Sequence, residues 1–295
     1  MPSHPCPRTL NPDLDQSPIA YSRMTATRRK HLKPSQFWNI RQGIPRRLKL
    51  LMPIIGLVIP LLLWSLLSYG GFTSPTFLPA PTAVVVAGWQ MWQEGTLLPD
   101  ILISTGRVLG GFLVAAVVGI PLGIATGTFE SIDGLFKPLV GTVRYMPMTA
   151  FVPLIMIWVG LEENAKIVMI FLGIVLYNSI MIADAIKFIS DDLLNAAYTL
   201  GANRREILFK VILPASLPSI LDTLRVNIAG AWNFLIFAEL IAAQSGLGFR
   251  IIQSQRYLNT DKVLFCIVTI GLIGLVTDYI FHRLAIALTP WADHN

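Results

Sequence analysis

Seven polar or charged residues lie in or beside long apolar runs of this 295-residue chain: Arg144, Asn178, Asp184, Arg225, Asn233, Glu239 and Asp278. An intramembrane enzyme would draw on paired acids, a Ser–His set or a His/Glu metal cluster. The four histidines are His4, His31, His282 and His294, three of them in the terminal tails, so no such constellation is assembled along the chain. A G-x-x-x-x-G-K-[ST] phosphate loop is also missing, which excludes this chain as its own nucleotide-driven motor. Two roles are left for the seven residues: pairing with one another, or meeting a solute on its way across. Charge in apolar surroundings is costly, so pairing is the first reading and solute contact the second.

The elements that must hold these groups follow from composition. Hydrophobic residues make up 54% of the chain and charged ones 14%, against roughly a quarter charged in soluble domains. Charge is absent from 50–93, 108–129, 145–161, 167–183, 226–238 and 263–277. A hydrocarbon core of about 30 Å needs about 20 helical residues. The chain therefore reads as an all-α membrane protein with six spans near 50–69, 103–127, 138–160, 165–186, 219–243 and 263–284. Pro147 and Pro153 interrupt the third.

Lys and Arg give the orientation. With six spans, 16 of the 23 fall on the side of both termini, ten of them within the first 49 residues. Both ends are expected in the cytoplasm, and the net charge of +6 reads as a topology signal, not as nucleic-acid binding, because aromatic interleaving is missing. Residues 1–49 read as a flexible basic tail that meets anionic lipid near Arg41 to Lys49, 50–290 as the membrane domain, and 291–295 as a short cytoplasmic end. Cys6 and Cys266 are too distant in kind and place to form a disulfide framework. On this orientation Arg107 and Glu239 share the outer end and form one expected pair, while Arg225 and Asp184 share the inner end and form another.

Two further patterns concern packing. Pro81-Thr82 opens a short amphipathic helix whose Trp89 and Trp92 suit the membrane–water interface. Gly119, Gly123 and Gly127, four apart, share a face of the second span and allow a neighbouring backbone to approach; packing within the subunit is weighed ahead of dimer contact or pore lining. The pore itself is expected from Arg144, Met146, Pro147 and Thr149, with Asn178, Trp232, Asn233 and Glu239. Prolines free backbone groups there, which is tolerated only under cover of protein or beside a water cavity.

One segment, 190–218, is out of keeping with its oily flanks: "SDDLLNAAYTLGANRREILFKVILPASLP". Ser190 and Asp191 are placed to cap a helix, Leu193, Leu194, Ala197 and Leu200 give it an apolar stripe, and Gly201 supplies the left-handed stop. Asn203 with Glu206 three residues on makes a capping box, and Pro214 and Pro218 are expected to end the second helix. Small residues Ala196, Ala197 and Gly201 at the bend suit docking by another protein, with a plain connector as the other reading.

That segment resembles the E-A-A–x3–G–x9–I-x-L-P loop of the permease subunits of bacterial ABC importers. Here it runs Asn195-Ala196-Ala197, Gly201, then Val211-Ile212-Leu213-Pro214; Asn195 replaces the usual Glu and keeps hydrogen-bonding capacity without the charge. "FLPAPTAV" (77–84), "STGRVLGGF" (104–112), "GIPLGIATG" (119–127) and "AELIAAQSGLGF" (238–249) are similar to the nitrate, sulfonate and taurine branch. The third span departs from that branch's R-x-x-P-P-L-A-W-x-P, with Met148 at the second proline and Phe151 at the tryptophan.

The resemblance implies a six-span importer permease fold in a bacterial inner membrane, with cytoplasmic coupling helices. It implies a second permease copy as partner, two ABC ATPase subunits that hold ATP and grip Asn195, Ala196, Ala197, Gly201, Ala202, Leu213 and Pro214, and a solute-binding protein outside. The chain itself binds no cofactor or metal and is no enzyme on this reading. The rival reading is a stand-alone channel or secondary carrier, which needs no ATPase and leaves the loop spacing as coincidence.

Overall fold

The computed structural model describes residues 46–292. The basic tail up to residue 45, with His4, Cys6 and His31, and the last three residues, with His294, lie outside them. The chain falls into two compact units, one ending at Pro60 and the other covering Leu61–Asn295; the architecture below is that of the second. Every regular element among the described residues is helical.

Helix α1 (Arg46–Tyr69) is apolar around its full circumference, as a membrane-crossing helix is. Its end is tied to the extended segment after it, where Trp64 Nε1 donates to the Pro79 carbonyl and Ser68 Oγ to the Leu78 carbonyl, each at 3.0 Å. Helix α2 (Pro81–Gln93) starts on the expected proline, and Trp89 and Trp92 are exposed.

The core is built by α3 (Leu97–Thr128), α6 (Glu163–Lys187), α9 (Leu213–Ala242) and α11 (Thr260–Leu288). Helices α3 and α6 run parallel, since Gly111 meets Ile170, Gly119 meets Asn178, Gly123 meets Ile182 and Gly127 meets Ile186. The glycine stripe thus serves packing within the chain. A Cβ at Gly123 would sit 2.7 Å from that of Ile182 and 2.9 Å from the Ser179 carbonyl oxygen, both inside van der Waals contact. Gly123→Val is therefore expected to destabilise by about 1–3 kcal/mol through overpacking, read as a lower unfolding temperature in detergent. An unchanged midpoint would mean the groove has slack.

Two parallel neighbours need a return path between them. It is supplied by α4 (Glu130–Val143), a 3₁₀ turn (Met148–Phe151) and α5 (Val152–Val159), bent by 87° across the break. Among the described residues, five helices are long and apolar enough to cross a membrane, or six with this bent pair as one span. Counted as one span, the pair begins eight residues before the expected 138, with its break at 144–147. Pro147 lies in that break, whereas Pro153 sits in the first turn of α5, where its missing N–H has no partner to lose.

The second correction concerns the charged segment. Pro214 and Pro218 do not end its second helix: the helical run continues from Arg204 to Leu240. A proline ring crowds the carbonyl four residues back. Here residues Ile207–Ile212 widen into a π-helix immediately before Pro214, which then occupies the start of α9. The wide turn makes room for the ring, and the chain enters the membrane without stopping.

Candidate functional site

Two polar constellations lie at opposite ends of the antiparallel pair α6 and α9. The first is the charged turn. Helix α7 (Asp191–Thr199) closes at Gly201, whose φ of +84° is the left-handed value expected there. Ser190 holds the N-cap position of α7, but its side chain makes no capping bond, contrary to expectation. The capping box that opens α8 (Arg204–Glu206) is complete: Asn203 Oδ1 accepts from the Glu206 N–H at 3.0 Å, and Glu206 Oε2 accepts from the Asn203 N–H at 3.1 Å. Lys210 Nζ bonds Glu206 Oε1 at 2.9 Å. The turn is therefore held by its own bonds.

Its outer surface is unusual for a segment that carries so much charge. Phe188 and Leu200 are each 88% exposed, and Leu193, Tyr198 and Phe209 are also exposed, while Leu194, Ala197 and Ala202 pack inward on the core. Of the residues expected to couple to an ATPase, Asn195, Ala196 and Gly201 show at the surface, whereas Ala197 and Ala202 are half-buried.

The second constellation is a clasp at the other end of the bundle. It gathers the N-terminal turns of α3 and α6, the C-terminal turn of α9, and the Ser245–Gly248 bend that opens α10 (Leu247–Arg256). The expected Arg107–Glu239 pair is formed: Arg107 Nη1 donates to Glu239 Oε1 and to the Ser245 carbonyl, each at 2.7 Å. Arg107 Nη2 reaches Glu163 Oε1 at 2.7 Å, where Lys166 Nζ also arrives at 2.7 Å. Glu239 takes two more donors at 2.7 Å each, Ser104 Oγ on Oε1 and the Gly248 N–H on Oε2. Asp100 accepts from the Gly246 N–H at 2.8 Å and pairs with Arg250. Arg107 is 3% exposed and Glu239 1%, so these two charges need the partners they have, whereas Glu163 at the edge of the clasp also meets solvent. Gly246 has φ +112°, and a Cβ there would fall 2.4 Å from Glu239 Oε1. The Ser-Gly-Leu-Gly sequence is what lets the bend close on the carboxylate.

The second expected pair is corrected. Arg225 does not reach Asp184; its Nε and Nη2 fork onto both oxygens of Asp278 at 2.7 Å, with His282 Nδ1 3.3 Å from Nη1. Arg225 looks from α9 toward α11, while Asp184 on α6 borders a cavity beside α4. Helical spacing alone cannot say which of two neighbouring helices a side chain meets.

The residues expected along a pore are not brought together. Arg144, Met146, Pro147 and Thr149 line the exposed break between α4 and α5, and Asn233 is exposed on α9. Asn178, Trp232 and Glu239 are enclosed. Asn178 accepts from Asn227 Nδ2 at 2.7 Å, and Trp232 Nε1 points to Thr277 Oγ1 at 3.4 Å. In this conformation these three hold the subunit together. Sequence reasoning missed Asp100, Ser104, Glu163, Arg250 and Asn227. Only the paired glycines of Ser-Gly-Leu-Gly hinted at a tight bend.

A model of the family described as "Binding-protein-dependent transport system inner membrane component" matches residues 115–288, more than half of the chain. The chain belongs to that family. It is a multi-pass inner-membrane permease subunit, and not an enzyme. The permease is 35% identical over 240 residues to the taurine transport system permease protein TauC of Escherichia coli (strain K12), covering 80% of this chain and 87% of that protein. It is 38% identical over 236 residues to the putative ABC transporter permease protein MJ0413 of Methanocaldococcus jannaschii, covering 78% and 86%. The bicarbonate transport system permease protein CmpB of Synechocystis sp. (strain ATCC 27184 / PCC 6803 / Kazusa) is 29% identical over 255 residues, covering 82% and 88%. Among solved structures, an inward-facing conformation of the MetNI methionine ABC transporter superposes with a TM-score of 0.60 at 20% identity, covering 68% of the permease and 98% of that chain. The permease shares that fold.

Proposed function

We propose that the permease forms the pore of an ATP-driven importer for small anions or organosulfur and organonitrogen solutes, the class to which the taurine and bicarbonate relatives point. Both termini face the cytoplasm, and the membrane domain covers 50–290. Two copies make the pore. ATP is bound by a separate ABC ATPase, and a solute-binding protein delivers cargo from outside.

The observation that carries this reading is the charged turn. Phe188, Leu193, Tyr198, Leu200 and Phe209 are all exposed on or beside the turn; exposed apolar side chains concentrated on a bond-locked scaffold suit a docking surface. The partner that this loop spacing resembles is the ATPase, and Asn195, Ala196 and Gly201 stand where it would grip. From Arg204 the helical run continues into α9 through the π-helix, so force applied at 204–206 passes directly to a membrane helix. The solute path runs along the break between α4 and α5, with Arg144, Met146, Pro147 and Thr149, and past Asn233.

The test is co-purification. The tagged permease, extracted from its native membrane, is expected to bring down an ATPase, and a cysteine placed at Ala202 is expected to resist impermeant reagents added outside intact cells. Labelling of that cysteine from outside would put the turn on the wrong face and end the importer reading.

A further inference from the structure

The clasp and the charged turn leave one group of titratable residues without a role. Between the end of α3, the length of α4 and the last turns of α6 lies a cavity of about 320 Å³, at the lower end of the roughly 300–1,000 Å³ typical of small-molecule sites. Five charged side chains line it: Asp133, Lys137, Arg144, Asp184 and Lys187. Lys187 Nζ and Asp133 Oδ1 neutralise each other at 2.8 Å. That leaves two cations and one carboxylate. Asp184 and Lys137 make no ion pair among the described residues, and Arg144 meets only the ring and hydroxyl of Tyr145, at 4.8 Å and 2.8 Å.

Arg144 has a second neighbour. It also borders a small hollow with Met146, Met148, Tyr177 and Ile180, which follows the exposed break between α4 and α5. The guanidinium therefore stands where the break opens toward the charged cavity. The cavity is at the end of the bundle where α3 and α6 finish, the same end as the charged turn.

We infer that this cavity is a solute subsite for a small zwitterion, an oxoanion head joined to an ammonium group, with Arg144 and Lys137 holding the anion and Asp184 the ammonium. The inference rests on the permease reading and narrows its solute class. A plain anion would gain from the two cations but meet the unpaired Asp184 carboxylate. A plain cation would gain from Asp184 but meet Arg144 and Lys137. A solute with both charges satisfies all three at once, through charge-assisted bonds to side chains that are themselves exposed.

The experiment uses the full chain in lipid nanodiscs without its partners, and ligand-observed saturation-transfer NMR, which reads weak binding. The probes are taurine and isethionate, which share the carbon chain and the sulfonate and differ in ammonium against hydroxyl. The wild type is expected to bind taurine saturably and about tenfold more tightly than isethionate, as loss of a charge-assisted contact predicts. Asp184→Asn is expected to bring taurine down to the level of isethionate and leave isethionate unchanged. Arg144→Gln is expected to weaken both by about tenfold. The absence of saturable taurine binding, equal binding of the two probes by the wild type, or an equal loss of both in Asp184→Asn would overturn the inference. None of those results touches the importer reading, because a permease that captures its ATPase and imports solute while failing this comparison loses only the subsite.

Discussion

Arg107→Met is expected to lower stability by about 3–5 kcal/mol, the cost of leaving buried charge without its partner. The substitution keeps much of the side-chain volume but removes the donors that Glu239, Glu163 and the Ser245 carbonyl now share. Glu239, almost fully enclosed, would keep only Ser104 Oγ and the Gly248 N–H. The measurement is the unfolding temperature of the detergent-solubilised chain, with the yield of inserted protein beside it. A double variant separates charge from packing: Arg107→Met with Glu239→Gln should recover part of the loss, because the two residues are in contact and their effects are not additive. A single variant that unfolds with the wild type would show that the clasp contributes nothing to stability.

Gly201→Leu acts on function more than on folding. Nothing lies within 4 Å of the Cβ position, so no clash arises; the difficulty is the φ of +84°. An L residue in that region costs about 1–2 kcal/mol, which a membrane domain of this size tolerates. The new side chain would instead stand beside Leu200 on the face proposed to meet the ATPase. Uptake is expected to fall by about tenfold or more, corresponding to about 1.4 kcal/mol of lost docking energy or greater, with insertion intact. Gly201→Asn keeps the turn, since Asn accepts the left-handed conformation, and should keep most of the uptake. Normal uptake and normal ATPase recovery in Gly201→Leu would refute the docking role.

The bend of the charged turn was legible residue by residue because its bonds are local, whereas the Ser190 cap and the expected stop at the prolines did not form. The capping box needs only Asn203 and Glu206 three apart, and the stop at Gly201 needs only a residue without Cβ. The clasp was half legible. Arg107 and Glu239 are 132 positions apart, and placing both at one end of a span made their pairing an expectation; Asp100, Glu163 and Arg250 join through helix rotations that no spacing reports. Arg225 shows the same limit from the other side. Spacing along the spans puts it at the same end of the bundle as Asp184 but does not give its partner, because Asp184 and Asp278 lie on different neighbours of α9. The prolines mark a third limit: whether Pro214 ends a helix or follows a widened turn depends on what the helix packs against.

By itself, then, the order of residues determined where the long apolar helices fall and the shape of the bend at Gly201, since apolar length and local hydrogen bonds act within a few residues or along one axis. Only the tertiary structure decided which buried charges meet, that the chain bends by 87° between α4 and α5, and that Asn178, Trp232 and Glu239 close the subunit while Arg144 opens onto a cavity. Those outcomes depend on how each helix is rotated against its neighbours. Rotation is set by the joint packing of side chains from distant parts of the chain, a quantity that periodicity does not contain.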